Sequence, residues 1–180
     1  MHDGELWQVY SQNGQPIAGR GVSDDEFAHD DSLVMGNAHV WLWRRGPNGV
    51  EVLLQKRAQS RKRSPGMYHI SAAGHINVGE SPVDAAVRES NEELGIAINP
   101  ADLYFVHALR IPKHQNSILN VFTLNYSGGA FTFDDGEVEE VVWRSLEDFK
   151  AMAKDPAAHN LIDQGRSYFD PLIEAISREA

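Results

Sequence analysis

Residues 74–96 read GHINVGESPVDAAVRESNEELGI, a stretch that predicts a loop, a capped helix and an acidic face in immediate succession. Ser81 suits the N-cap, Pro82 the first helical position, and Asp84 the N3 acid that reaches back to complete a capping box. Gly95 is placed to stop the helix in a left-handed cap. Val83, Val87, Ser90 and Leu94 recur at helical spacing and predict the buried side. At roughly 100° per residue, Glu89, Glu92 and Glu93 are expected together on the opposite side. Acids at these spacings repel by a few tenths of a kcal/mol per pair, and an ordinary solvated helix interleaves bases instead. Arg88 relieves part of the repulsion by pairing with Glu92 one turn on. A divalent cation relieves more, because Mg²⁺ takes hard oxygen ligands and bridges to substrate phosphates. The plain alternative is a solvated acidic face on a capped core helix.

The loop before the helix favours the cation. Gly74 and Gly79 allow tight turns and close backbone approach, so Glu80 can fold towards the acidic face. This pattern resembles the Nudix box: glycine, five residues, glutamate, seven residues, then R-E-U-x-E-E-x-G-U with U apolar. Gly74, Glu80, Arg88, Glu89, Glu92, Glu93, Gly95 and Ile96 match it, and Ser90 departs at the first U. The resemblance implies the α/β (α+β) class, with a Nudix-type α/β/α sandwich around a central mixed sheet. It implies Mg²⁺, with Mn²⁺ as the other candidate ion, held by Glu89, Glu92 and Glu93. Glu80 is then a further or water-bridged ligand, and the carbonyl of Ala73 or Gly74 joins the shell. Arg88 orients these glutamates.

Composition sets the bounds. The 180 residues suit one domain, 42% of them are apolar, and there is no cysteine. Disulfides, thiolate zinc and a thiol nucleophile are therefore excluded. No apolar run approaches ~18 residues, so no membrane partner is expected, and a soluble cytoplasmic protein is. A net charge of −10 disfavours nucleic acid. A small phosphorylated substrate remains compatible, because Lys56, Arg57, Arg61, Lys62 and Arg63 form a local basic patch.

Along the chain, Glu5 to Ser11 and Gln15 to Arg20 read as a hairpin around Asn13-Gly14, and Ser23 to Asp31 as a loop or short helical turn. Asn37 to Arg44 and Val50 to Arg57 read as a core hairpin, and Met67 to Ala73 as a short strand. Leu103 to Arg110, Ile118 to Tyr126 and Val138 to Trp143 are further strands. The loop carrying Pro112, Lys113 and His114 joins the first two. Ser145 caps a helix to about Ala153, and Ser167 to Glu179 forms the last helix. Residues 1–33 are expected as an N-terminal extension, 34–155 as the core and 156–180 as the C-terminal helix region of one domain. The N-terminal hairpin could serve a homodimer contact or a lid.

Gln55 to His75, QKRAQSRKRSPGMYHISAAGH, resembles the branch containing isopentenyl-diphosphate isomerase. The resemblance implies a diphosphate-binding basic loop, with Lys56, Arg57, Arg61, Lys62 and Arg63 as ligands and Tyr68 where tryptophan is common. An isomerase is nevertheless disfavoured. Its cysteine position falls on Ala73, and its two further glutamates fall near Gln115 and Ser117. His29, His39 and His75 remain as a candidate transition-metal site, with His69 and His114 as weaker substrate contacts. Trp7, Trp41, Trp43, Tyr68, Phe105 and Phe122 are aromatic groups able to stack a base, most of them expected in the core. The expected chemistry is metal-dependent hydrolysis of a phosphoanhydride, with Glu92, Glu93 and Arg88 at its centre. Glu92, Glu93, Glu137 or Glu139 are the alternatives for the general base. A ligand-binding module that keeps the fold without turnover is the rival, and the complete set of box carboxylates speaks against it.

Overall fold

The computed structural model describes residues 6–111, 116–126, 128–133 and 136–180. Pro112, Lys113, His114 and Gln115 of the expected loop lie outside the described residues. Strand β1 (Trp7–Tyr10) and strand β2 (Pro16–Val22) form the expected hairpin, and helix α1 (Asp24–His29) follows with its own capping box at Ser23 and Glu26. Strands β3 (Val34–Gly46) and β4 (Gly49–Arg57) come next, then β5 (Tyr68–His69), β6 (Ala72–His75) and helix α2 (Pro82–Leu94). Strands β7 (Tyr104–Ile111), β8 (Ser117–Asn125) and β9 (Val138–Ser145) lead to helices α3 (Leu146–Lys154) and α4 (Arg166–Glu179).

The sheet is mixed and has helices on both faces. Strand β3 runs parallel to β8 along one edge, from Met35↔Ser117 to Trp43↔Asn125. Its other edge is shared in turn by β1, β6 and β4, all antiparallel. Alternation along the strands sorts two cores. Ala38, Val40, Leu42 and Leu53 pack with Ala85, Ala86 and Leu94 of α2. Trp41, Trp43, Val52 and Leu54 pack with Phe149 of α3 and Tyr168, Phe169 and Leu172 of α4. Full burial of such a side chain is worth about 1.5–3 kcal/mol, so the two layers hold the sheet from both sides.

The β3–β4 hairpin is shorter than the sequence predicts. The strands pair only between Gly46↔Gly49 and Trp43↔Val52, and then part. Beyond that point β6 takes the edge of β3, and β5 takes the edge of β4. The single strand expected over Met67 to Ala73 is therefore two strands serving different partners. Ser71 sits fully buried at the crossing. Its hydroxyl accepts the Leu42 N–H at 2.9 Å and donates to the Leu53 carbonyl at 2.7 Å. Backbone groups left unpaired by the parting of the strands are thereby satisfied.

Candidate active site

Helix α2 starts and stops where the sequence predicts. Ser81 and Asp84 form both halves of the capping box, and Gly95 caps the other end at φ 66°. A Cβ on Gly95 would run into Thr132, so glycine is required there for space as well as for conformation.

The helix faces differ from expectation in one respect. Its buried residues are Ala85, Ala86, Ser90, Leu94 and also Glu93, while Val83 and Val87 are only half-buried. Glu93 lies roughly 60° around the helix from Ser90, so it belongs to the edge of the buried face and not to its opposite. Its side chain is 4% exposed. One oxygen, Oε2, accepts the Ala73 N–H at 2.9 Å and the Gln55 amide at 3.1 Å. Ser90 is fully buried too, its hydroxyl donating to the Ala86 carbonyl at 2.7 Å.

Arg88 organises the remaining acids. Its guanidinium donates to both oxygens of Glu80 (2.8 and 3.0 Å), to Glu89 (2.6 Å), to Glu92 (3.0 Å) and to the His75 carbonyl (2.7 Å). The expected Arg88–Glu92 pair is thus one part of a larger array. Glu80 also accepts the Asn77 N–H at 2.9 Å, which fixes the loop ahead of the helix. Burial raises the Glu80 carboxyl, but the Arg88 hydrogen bonds and the Asn77 amide outweigh it and hold the group below its ordinary range. The Arg88 charge is disfavoured by burial and favoured more strongly by Glu80 and Glu89, so its pKa moves up.

Gly74 has a steric role. A Cβ built there would overlap the Glu89 carboxylate, which lies directly against strand β6. The expected outcome of Gly74→Ala is a stability loss of about 1–3 kcal/mol, as Glu89 is pushed off Arg88. The urea midpoint measures it, and an unchanged midpoint would mean that the carboxylate moves aside without cost.

The basic residues are partly neutralised by the start of β9. Lys56 pairs with Glu139 at 2.7 Å and Glu140 at 3.6 Å, and Arg61 with Glu137 at 2.5 Å. Arg57 donates to the Arg63 carbonyl at 3.2 Å. Burial and Arg61 lower the Arg57 pKa, with the charges of Glu93 and Glu137 opposing. Lys62 and Arg63 are exposed on the loop. Tyr68 lies beneath the Arg144 guanidinium, 5.6 Å from its ring centre, and packs against the α3–α4 core.

The histidines group otherwise than the sequence predicts. His29 is exposed on α1, and its ring bonds the Asp25 carbonyl. His75 stacks on Trp7 with ring centres 3.7 Å apart. Buried His39 meets the Tyr168 hydroxyl at 2.9 Å, and Trp41 donates to the same oxygen at 2.8 Å. Among the described residues, no three histidine, aspartate or glutamate side chains are gathered as a metal site. His29, His39 and His75 therefore form no such site. Of the aromatic candidates, Trp41, Trp43 and Phe122 are core, while Phe105 is 51% exposed.

Burial, with smaller effects from His69, His75 and His107, pushes His39 well below the usual histidine range, and burial with Arg57 takes His69 to about 3. Both rings are neutral when folded and gain a proton near pH 6.5 when unfolded. The stability they contribute is thus complete above 6.5 and falls as pH drops towards the folded values. We expect a loss approaching about 1.4 kcal/mol per pH unit per histidine below pH 6. Denaturant midpoints that stay flat from pH 7 to 5 would exclude it.

Sequence reasoning missed Gln55 as the partner of Glu93. A signal was available, since Gln55 follows Leu53 on the buried alternation of β4, and a buried amide needs a partner. The Ala73 N–H, the Asn77 N–H and the His75 carbonyl leave no such trace, because any residue carries them.

The chain belongs to the NUDIX domain family, whose profile matches residues 36–164. It is 33% identical over 86 residues to an uncharacterised Nudix hydrolase of Clostridium acetobutylicum, covering 48% of this chain and 41% of that protein. It is also 33% identical over 103 residues to the isopentenyl-diphosphate delta-isomerase of Shigella flexneri, covering 54% of this chain and 56% of the isomerase. The match thus spans about half the length of these curated relatives. The fold is similar to that of DR0079 from Deinococcus radiodurans (TM-score 0.68, 18% identity, 97% of this chain and 98% of that one). It is similar too to the NUDIX domain of Shewanella oneidensis NrtR, solved with ADP ribose (TM-score 0.63, 16% identity, 86% of this chain and 99% of that one).

Proposed function

We propose that the protein hydrolyses a phosphoanhydride bond in a nucleoside diphosphate-linked or related small molecule, with Mg²⁺ or Mn²⁺. The observation that carries this reading is the Arg88 array. One guanidinium binds Glu80, Glu89 and Glu92 beside a Glu93 held by two N–H donors. Glu89, Glu92 and Glu93 on the helix, with Glu80 from the loop before it, would supply hard-oxygen donors once a cation drew them together, since among the described residues they are not gathered around a metal position. The space that Gly74 leaves for Glu89 lets that carboxylate lie against the strand. Glu89, Glu92 and Glu93 would hold the ion, with Glu80 and the Gly74 carbonyl alongside. A divalent cation bound there supplies charge neutralisation at the phosphate oxygens and acidifies water for attack.

The chain's own residues do the rest. Gln55 and the Ala73 amide fix the plane of the Glu93 carboxylate. Arg88 sets the spacing of Glu80, Glu89 and Glu92. Arg57, Lys56, Arg61, Lys62 and Arg63 hold the phosphate that is not attacked, and they confine the reacting phosphorus in line with the water. A carboxylate of the array, Glu92 or Glu93, takes the water's proton. Glu139 suits that role less, because its hydrogen bond from Lys56 lowers its pKa. Isomerisation is disfavoured, since Ala73 contributes a methyl group and a backbone N–H where a thiol would be needed.

The test is phosphate release from nucleotide sugars, dinucleoside polyphosphates, nucleoside triphosphates and prenyl diphosphates. Hydrolysis is expected with Mg²⁺ and is expected to vanish with EDTA. A panel that stays inert with either ion, or that turns over undiminished in EDTA, would overturn the reading. Among the described residues no helix is long and apolar enough to cross a membrane.

A further inference from the structure

Strand β1 is seated on the loop that leads into the acidic helix. It pairs with β3 at Val9↔Met35 and Tyr10↔Val34, and β6 takes the β3 edge from Asn37 onward. The residues before Val9 have the 76–78 segment as their partner instead. The Gln8 N–H donates to the Ile76 carbonyl at 2.8 Å, and the Val78 N–H donates to the Leu6 carbonyl at 2.9 Å. Trp7 stands opposite Asn77 in this antiparallel bridge. The Trp7 ring lies flat on the His75 ring, with centres 3.7 Å and planes 15° apart. The Gln8 side-chain oxygen accepts the Gly79 N–H at 3.4 Å. Strand β1 is itself fixed. It pairs with β2 at Trp7↔Val22 and Gln8↔Gly21, and the Gln8 amide donates to the Val9 and Ile17 carbonyls, each at 2.8 Å. Phe27 of α1 meets the Trp7 ring edge-on, with centres 6.5 Å apart.

The same loop serves the acidic array from its other side. The His75 carbonyl accepts from Arg88 at 2.7 Å, and the Asn77 N–H donates to the Glu80 carboxylate at 2.9 Å. The Asn77 carbonyl in turn accepts the Glu80 N–H at 3.0 Å. His75 thus gives its ring to Trp7 and its carbonyl to the guanidinium that binds Glu80, Glu89 and Glu92. Gly79 sits at φ 86° between Asn77 and Glu80, a permissive residue that leaves the loop's shape to whatever pins it. Metal ligands work only when held to within about 0.5 Å, and the residues behind them do the holding. The plain alternative is that Trp7 only packs the N-terminal hairpin. That hairpin has its own small core of Val9, Val22 and Leu33, with Ile17 and Phe27 against it, while Trp7 lays its face on the loop. The family profile begins at residue 36, so this support comes from ahead of the matched region.

We propose that Trp7 is a positioning residue: stacked on His75, it holds the 75–80 loop so that Arg88 and Glu80 stand where the metal site needs them. The inference rests on the hydrolase reading for its metal, but its test reads binding and stability and not turnover. Mn²⁺ affinity, followed by electron paramagnetic resonance on the full chain, is expected to fall about tenfold in Trp7→Leu. Trp7→Phe keeps a ring for His75 and should recover most of that loss. A tryptophan that only packs the hairpin would lower stability and leave Mn²⁺ affinity alone. Urea midpoints without metal supply the second readout. Trp7 and Arg88 share His75 as a partner, so Trp7→Leu combined with Arg88→Met should lose less than the two single losses added together. Unchanged Mn²⁺ affinity in Trp7→Leu, or strictly additive midpoints, overturns the proposal. Should Trp7→Leu fail to fold, His75→Ala removes the same stack from the loop side and takes its place in both measurements. Mn²⁺ binding that weakens in Trp7→Leu, in a protein whose wild type hydrolyses nothing in the panel, sinks the hydrolase reading and keeps this one. Mg²⁺-dependent hydrolysis with Mn²⁺ affinity indifferent to Trp7 does the reverse. A wild type that takes up no Mn²⁺ overturns both.

Discussion

Arg88→Met is expected to destabilise the protein by about 3 kcal/mol, because it strands three carboxylates that share one cation. The side chains of Glu80, Glu89 and Glu92 are 22%, 12% and 31% exposed, and Arg88 itself is 21% exposed. Water therefore screens their repulsion only in part. Removing the guanidinium also leaves the His75 carbonyl without that donor. The pH dependence separates this loss from simple packing. Glu80 has a folded pKa below its unfolded one, so its contribution is present above the unfolded value near 4.5 and disappears as pH falls through the lower folded value. The variant should consequently lose less on acidification than the wild type below about pH 4.5. Mg²⁺ should stabilise the variant more than the wild type, because the cation takes over charge that Arg88 had balanced. Urea denaturation of both proteins at pH 7 and pH 4, with and without Mg²⁺, reads all three effects. A loss that is the same at both pH values and indifferent to Mg²⁺ would reduce Arg88 to a packing residue.

The parts of this site that were legible in the sequence are those carried by local spacing. The capping box of Ser81 and Asp84, the Gly95 stop and the Arg88–Glu92 pair all lie within one helix, where separation along the chain fixes separation in space. Strand positions were legible for the same reason. The split sheet was not, because it depends on which edge of β3 and β4 the 68–75 segment fills, and that is decided by Ser71 satisfying two strands at once. Glu93 lies about 60° from Ser90, so local spacing already puts it at the border of the buried face; only its partners, Gln55 and Ala73, are distant in sequence and leave no local trace. The histidines show the same limit. His39 finds its partner on α4, 129 positions away, where no local pattern points.

Glu93→Gln should lower kcat/KM by about 10³-fold with Mg²⁺, roughly 4 kcal/mol of transition-state stabilisation. The substitution preserves shape, and an amide oxygen can still accept the Ala73 N–H. Burying a neutral amide also costs less than burying a carboxylate at 4% exposure, so melting should shift little. The change therefore isolates the charge. Gln55→Leu isolates the orientation: it keeps the Glu93 charge and removes one of the two donors to Oε2. We expect it to cost about tenfold in kcat, since one hydrogen bond of about 1.5 kcal/mol to a charged group is lost. Glu92→Gln falls between the two, because Glu92 is more exposed and is bound by Arg88 through one hydrogen bond at 3.0 Å. This ordering, Glu93 above Glu92 above Gln55, is what a carboxylate pinned at the edge of the helix's buried face requires. Equal and complete inactivity of the wild type and all three variants, with native melting curves, would instead favour a module that binds its phosphorylated ligand and leaves it intact.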